Sequence, residues 1–234
     1  MVRKPFVVRI ERVIWIAAAG MLSILVLSLA ARTLMHATGH DVALGLIPFL
    51  DVNGEANLPT FFTVLLMLAC VGLLLVAWRC AAPSPSVGTH YWAVLACGFL
   101  IMALDEFTSL HERLSVPLRH LLPSGASGAL HYSWVIVGAL IVVSVGVYFF
   151  VFLRSLRLDT RRNFILAGAI YVAGAVVLET IGGALAASTG EATIEYTLVS
   201  TFEETLEMIG LLLFLRALLH HLRLTVESVS LVIE

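Results

Sequence analysis

Six apolar runs divide the chain, at residues 13–34, 59–78, 91–112, 132–153, 163–187 and 195–219, with short polar connections between them. A hydrocarbon core of about 30 Å is crossed by about 20 helical residues at 1.5 Å per residue. Backbone groups in lipid must bond within their own segment, so these runs are expected as helices. The pattern predicts an all-α polytopic membrane bundle of about six transmembrane helices, with residues 1–234 forming one integral membrane domain. The first run follows Arg3, Lys4, Arg9 and Arg12, as a signal peptide would. Its apolar stretch of roughly 17–20 residues exceeds the 7–15 of a cleaved signal, so a retained span is expected.

Composition agrees with the pattern. Of 234 residues, 60% are hydrophobic and 13% charged, and the mean hydropathy is +0.99. Soluble domains carry about 25% charged residues. Cys70, Cys80 and Cys97 are widely spaced without a Cys-x-x-Cys pair, which excludes a disulfide framework and a thiolate zinc site. With the N-terminus in the cytoplasm, the inner side collects Arg3, Lys4, Arg9, Arg12, Arg79, Arg154, Arg157, Arg161, Arg162, Arg216 and Arg223. Only Arg32, Arg113 and Arg119 fall outside. This bias predicts that both termini are cytoplasmic. The expected location is the cytoplasmic (inner) membrane of a bacterial-type cell, with membrane lipids as partners.

Acids interrupt three of the runs: Asp105 and Glu106 in the third, Glu179 in the fifth, and Glu203, Glu204 and Glu207 in the sixth. A carboxylate near the bilayer centre costs roughly 2.5–3.5 kcal/mol even on lenient insertion scales, so compensation by a metal ion, protons or partner groups is expected. Counted along their helices, these acids reach the outer half or the midplane. Ser200, Glu203 or Glu204, and Glu207 share one stripe of the last span, while Asp105, Thr108 or Ser109, and Glu112 share a face of the third with His111 at its edge. Glu179 lies roughly in line with Tyr171, Ala175 and Gly183. Leu-Glu-x-Ile-Gly occurs at Leu178–Gly182 and again at Leu206–Gly210, placing a glycine one turn beyond each acid, where helices approach closely.

Carboxylates and an imidazole at one depth suit Mg, Mn, Fe or Zn. The expected divalent-metal ligands are Asp105, Glu106, His111, Glu179, Glu203 and Glu207, with Glu112, Glu204, Ser200 and Thr108 as second shell or rim. The chain has no Glu-x-x-His pair, which excludes a ferritin-like di-iron bundle, and no His-x3-His pair within the six runs, which excludes a ceramidase-like zinc site. The leading expectation is a metal-dependent enzyme on a lipid-soluble substrate, with a non-ligating glutamate as base. Two other classes use the same acids: a proton- or cation-coupled transporter or channel, and a structural subunit of a membrane complex. Hydrogen bonds from Thr108, Ser109, Thr180, Ser200, Thr201 and Thr205 would instead make the acids a purely structural network.

Other signals are weaker. Asp51-Val-Asn53-Gly-Glu55-Ala-Asn57 begins like an EF-hand loop, but glycine is fourth and Phe62 occupies the twelfth place. A loop capping the outer mouth is expected there, with Asp51, Glu55 or Asn57 reaching inward. His36, His40, His120 and His131 join His111 on the acidic side. Trp15, Trp78, Trp92, Trp134 and Tyr132 sit near span ends and are expected as interface anchors. Residues 117–128 read as a connector, 154–162 as a basic loop facing anionic lipid, and 226–234 as a loosely alternating tail. Phosphate-loop, nucleophile-elbow and nucleic-acid-binding patterns are absent, so no nucleic-acid partner is expected.

Overall fold

The computed structural model describes residues 9–40, 42–81, 88–122 and 128–225, and all regular structure among them is helical. Arg3, Lys4, Asp41, the tip of the 117–128 connector and the 226–234 tail lie outside the described residues. The elements are α1 (Ile10–Thr38), α2 (Leu46–Leu50), α3 (Leu58–Cys80), α4 (His90–Thr108), α5 (Leu110–Leu121), α6 (Val135–Ser155), α7 (Leu158–Val172), α8 (Glu179–Thr189) and α9 (Ile194–Thr225). A π-helical segment, Ala173–Leu178, joins α7 to α8. Five helical stretches are long and apolar enough to cross a membrane: α1, α3, α4, α6 and the continuous Leu158–Thr189. This fits a helical membrane bundle. Helix α9, also 32 residues long, carries the three glutamates.

Helix α9 lies at the centre, against α1, α3, α7 and α8. Its approach to α7 is set by glycine. A methyl carbon on Gly210 would stand 2.8 Å from Cβ and N of Tyr171, and one on Gly174 would stand 2.8 Å from the Glu203 carbonyl oxygen. Only hydrogen fits at either contact, so α9 rests on α7 and the π segment backbone to backbone. Glu11 lies 3.5 Å from Arg216 and 3.4 Å from His220, placing the start of α1 beside the end of α9. Arg9, Arg12, Arg216 and Arg223 gather at this basic end.

The basic half of the bundle is sealed by apolar and aromatic packing. Trp92 meets Phe152 edge-on at 4.9 Å and stacks on His221 at 4.8 Å, and Phe99 stacks on Phe214 at 4.7 Å. Met67, Leu74, Leu211 and Leu218 are fully buried around this plug. Trp92 is therefore a core residue, although its position near a span end reads as an interface anchor. Trp15 matches the anchor reading, with its ring largely exposed.

Two helices differ from the sequence expectation. The third span ends at Thr108, because Ser109 adopts the left-handed conformation (φ 51°, ψ 42°) and starts α5 in a new direction. The connector expected from residue 117 is helical through Leu121, with Pro117 inside α5. Hydropathy cannot register a one-residue turn in the backbone, and it merged the two helices.

Candidate functional site

The break at Ser109 is held by Asp105. One carboxylate oxygen accepts the backbone N–H of His111 at 2.9 Å, an amide of the first turn of α5 that no helical carbonyl can reach. The other lies 2.9 Å from Nδ1 of the same imidazole. With Nδ1 committed to Asp105, Nε2 is the ring atom left for a ligand, the arrangement by which carboxylates orient metal-binding histidines. Burial pulls the imidazole towards its neutral form, but the Asp105 hydrogen bond and charge outweigh it, and its pKa rises to about 9.

Beside this imidazole stand Glu112, one residue on, and Glu55 from the loop between α2 and α3. One ligand atom from each of Glu55, His111 and Glu112 lies within 4.8 Å of the others. Glu55 is delivered by a loop pinned on both sides. Arg32 grips Asp51 with two contacts, 2.7 Å and 2.8 Å, at side chains only 12% and 14% exposed. Asn57 caps α3 by accepting the Thr60 N–H and donates to the carbonyls of Pro48 and Asp51. Asp51 and Asn57 thus serve the loop, and Glu55 is its acid that reaches the mouth. Burial, then the charge of Glu112, raises the Glu55 pKa; burial chiefly raises that of Glu112.

Below this mouth lies a second group of acids. Glu106 is within electrostatic reach of Glu55, His111 and Glu112, and also of Glu204 and Glu207. Glu203 faces Glu179, and the Tyr171 hydroxyl faces Glu207. The π segment aligns Tyr171 with Glu179. Eight residues apart on an unbroken α-helix they would diverge by about 80°; absorbing one residue in a bulge leaves about 20°. Both therefore face α9. Glu207 is only 8% exposed, above the Gly210–Tyr171 contact that closes the group from below.

The six expected ligands thus form two tiers with distinct roles. His111 belongs to the mouth, and Glu106, Glu179, Glu203 and Glu207 to the deeper tier with Glu204. Asp105 spends both oxygens on His111. Glu112, expected at the rim, stands with His111. The hydroxyls considered as partners of the acids largely satisfy their own helices. Thr108, Thr180, Thr201 and Thr205 each donate to the carbonyl four residues back, and Ser200 to that of Thr197. Ser109 differs, since its hydroxyl meets Glu55. Among the described residues, no arginine or lysine forms an ion pair with an acid of either tier.

Sequence reasoning missed two aromatic groups at the site. The Trp134 indole N–H donates to Glu179 at 2.8 Å while its ring lies 4.8 Å from His111, so one side chain spans both tiers. Tyr132 donates to Glu191 at 2.8 Å and its hydroxyl lies 2.8 Å from that of Tyr196, which Asn53 of the loop between α2 and α3 also meets. Their places at span ends suited lipid anchors equally well, and pairing across distant segments leaves no local pattern. His36, His40 and His120 are exposed and stand apart from the cluster.

A family model described as a domain of unknown function, DUF8692, matches residues 13–222, and the chain belongs to that family. The match takes in every helix that contributes to the two tiers. No curated protein and no solved structure matches the chain.

Proposed function

We propose that this protein is a six-span protein of the cytoplasmic membrane that binds a divalent metal ion at Glu55, His111 and Glu112 and acts as a metal-dependent enzyme on a lipid-soluble substrate. The observation that carries the reading is the convergence of three ligand atoms within 4.8 Å, from a loop and a helix start, around an imidazole already oriented by Asp105. Two carboxylates and one imidazole suit Mn, Fe or Zn, and three protein ligands leave positions for substrate, as catalytic sites do. When bound, the ion supplies Lewis-acid activation of water or of the substrate's polar end. Asp105 holds the imidazole, Trp134 fixes Glu179, and Glu106 is placed to pass protons between mouth and interior. With α9 as the sixth crossing, the shared basic end of α1 and α9 supports cytoplasmic termini.

A second reading, a cation or proton pathway, draws on the continuous file of acids from Glu55 to Glu207. The apolar plug at Trp92, Phe152, Phe99 and Phe214 stands across its onward course, which favours the enzyme. Elemental analysis of protein purified in detergent, followed by metal titration, tests the proposal. Near-stoichiometric metal lost in Glu55→Gln/Glu112→Gln but kept in Glu207→Ala is expected. The reverse pattern would place the ion in the deeper tier, and a wild type that binds no metal on titration would sink the reading. Cation or proton flux in liposomes, lost in Glu207→Ala, would establish transport instead.

A further inference from the structure

Helix α5 presents three different sides. At 100° per residue, His111, Ser115 and Arg119 fall on one, and they face the bundle: the Ser115 hydroxyl accepts the Trp134 backbone N–H and Arg119 donates to the His131 carbonyl. Leu110, Leu114, Pro117 and Leu121 form a second, within about 60° of arc, and the three leucines are 52%, 41% and 80% exposed. Arg113 and His120 lie together on a third, exposed side, which also carries Val116 and adjoins Glu112. An unpartnered apolar stripe flanked by polar side chains, here Arg113 and His120, is the pattern of a helix lying in a membrane surface. The stripe also has a neighbour that identifies its cover. It continues from Leu104 and Phe107 of α4, 56% and 62% exposed on a helix long and apolar enough to span. Exposed apolar side chains at the end of a spanning helix and, just past the turn at Ser109, along α5 point to one lipid neighbour.

We propose that α5 docks on the lipid surface of the bilayer that the bundle spans, with Leu110, Leu114 and Leu121 below the head groups and Arg113 and His120 above them. Because the same helix carries His111 and Glu112, the bilayer holds the mouth at head-group depth. Resting on the metal reading given above, this makes the substrate a membrane-resident molecule that presents its polar end to the mouth without leaving the lipid.

Nitroxide scanning of the full chain in liposomes tests the docking. Single cysteines are placed at 110, 113, 114, 120 and 121 in a Cys80→Ser/Cys97→Ser background, and their collisions with oxygen and with a water-soluble nickel chelate are compared. Labels at 110, 114 and 121 are expected to favour oxygen, and those at 113 and 120 the chelate. Uniform access to the chelate would overturn the proposal, as would immobilised labels shielded from both reagents, which mark a protein partner or a second copy. A second measurement is zinc affinity in lipid nanodiscs. Leu114→Asp is expected to weaken it by about tenfold, as loss of an orienting contact does, while Leu140→Asp on the exposed face of α6 leaves it within about twofold. Equal effects of the two would overturn the link between lipid contact and site. If the wild type binds no zinc, the metal reading fails, and the collision pattern still decides the docking.

Discussion

Gly210→Ala is the sharpest perturbation of the bundle. The added methyl would stand 2.8 Å from Cβ and N of Tyr171 and 2.9 Å from its Cα. These are atoms of a helix backbone, so no side-chain rotation relieves them, and α7 must move from α9 by roughly 0.6–1 Å to regain ordinary contact. Overpacking of this kind costs about 1–3 kcal/mol, offset by about 0.5–1 from the better helix propensity of alanine. The expected net loss is about 1 kcal/mol, or about 2–4 °C in Tm for a chain of this size. Gly168→Ala is the matched control. It lies on the same α7, nothing stands within 4 Å of its added methyl, and it should raise Tm by about 1–4 °C. Thermal unfolding in detergent, followed by circular dichroism, measures both. A Gly210→Ala protein as stable as wild type would refute the close α7–α9 contact, and with it the floor assigned to the deeper tier.

Four further outcomes follow from the site. Nδ1 of His111 stays with Asp105, so an ion at Nε2 must displace a proton that the imidazole holds up to about 9. Metal affinity measured by calorimetry should therefore tighten by about tenfold per pH unit between pH 7 and 9, and a pH-independent affinity would exclude His111 as a ligand. The same shift acts on stability without metal: a proton held more tightly in the folded state stabilises below the ordinary histidine pKa of about 6.5 and is lost as pH rises through about 9. Tm of the metal-free protein should fall over that window, and not in His111→Gln. Asp105→Asn should weaken metal binding by about 10–100-fold with the three ligands intact, and unchanged affinity would remove its orienting role. Asp51→Asn should loosen the loop that carries Glu55 and weaken metal binding less than Glu55→Gln itself; an equal or larger effect would mean that Asp51 meets the ion directly.

Much of the architecture is legible in hydrophobic pattern alone, because five of the six expected runs correspond to helical stretches long and apolar enough to cross a bilayer. What hydropathy could not register was backbone conformation within a run. The turn at Ser109 and the π segment at Ala173–Leu178 both lie inside apolar stretches, and both re-aim functional side chains. Glycine told more. The repeated Leu-Glu-x-Ile-Gly pattern pointed to close helix contacts, and Gly210 makes one, on Tyr171. Gly182, its counterpart, leaves 3.8 Å to the Glu203 carboxylate, an ordinary contact, and the tight approach on the fifth run falls at Gly174 instead. The pattern located two glycines near two acids but not which of them would bear the packing.

The same division runs through the site. Depth counting expects the acids of three helices at one level because helical rise is fixed, and the structure brings Glu106, Glu179, Glu203, Glu204 and Glu207 into a group linked by electrostatic reach. Their sorting into tiers was not legible, since it depends on which carboxylate is already occupied. Asp105 and Glu106 are adjacent and chemically alike, yet the left-handed turn at Ser109 brings the His111 amide back onto one of them and leaves the other facing inward. Glu55 shows the converse. The loop pattern offers Asp51, Glu55 or Asn57 equally as the residue reaching inward, and the Arg32–Asp51 ion pair and the Asn57 cap occupy the other two and leave Glu55 beside His111 and Glu112. A residue's chemistry is visible one position at a time. Whether that chemistry is free to act depends on contacts made by its neighbours, so the surest test of the mouth is one that frees Glu55 without touching it.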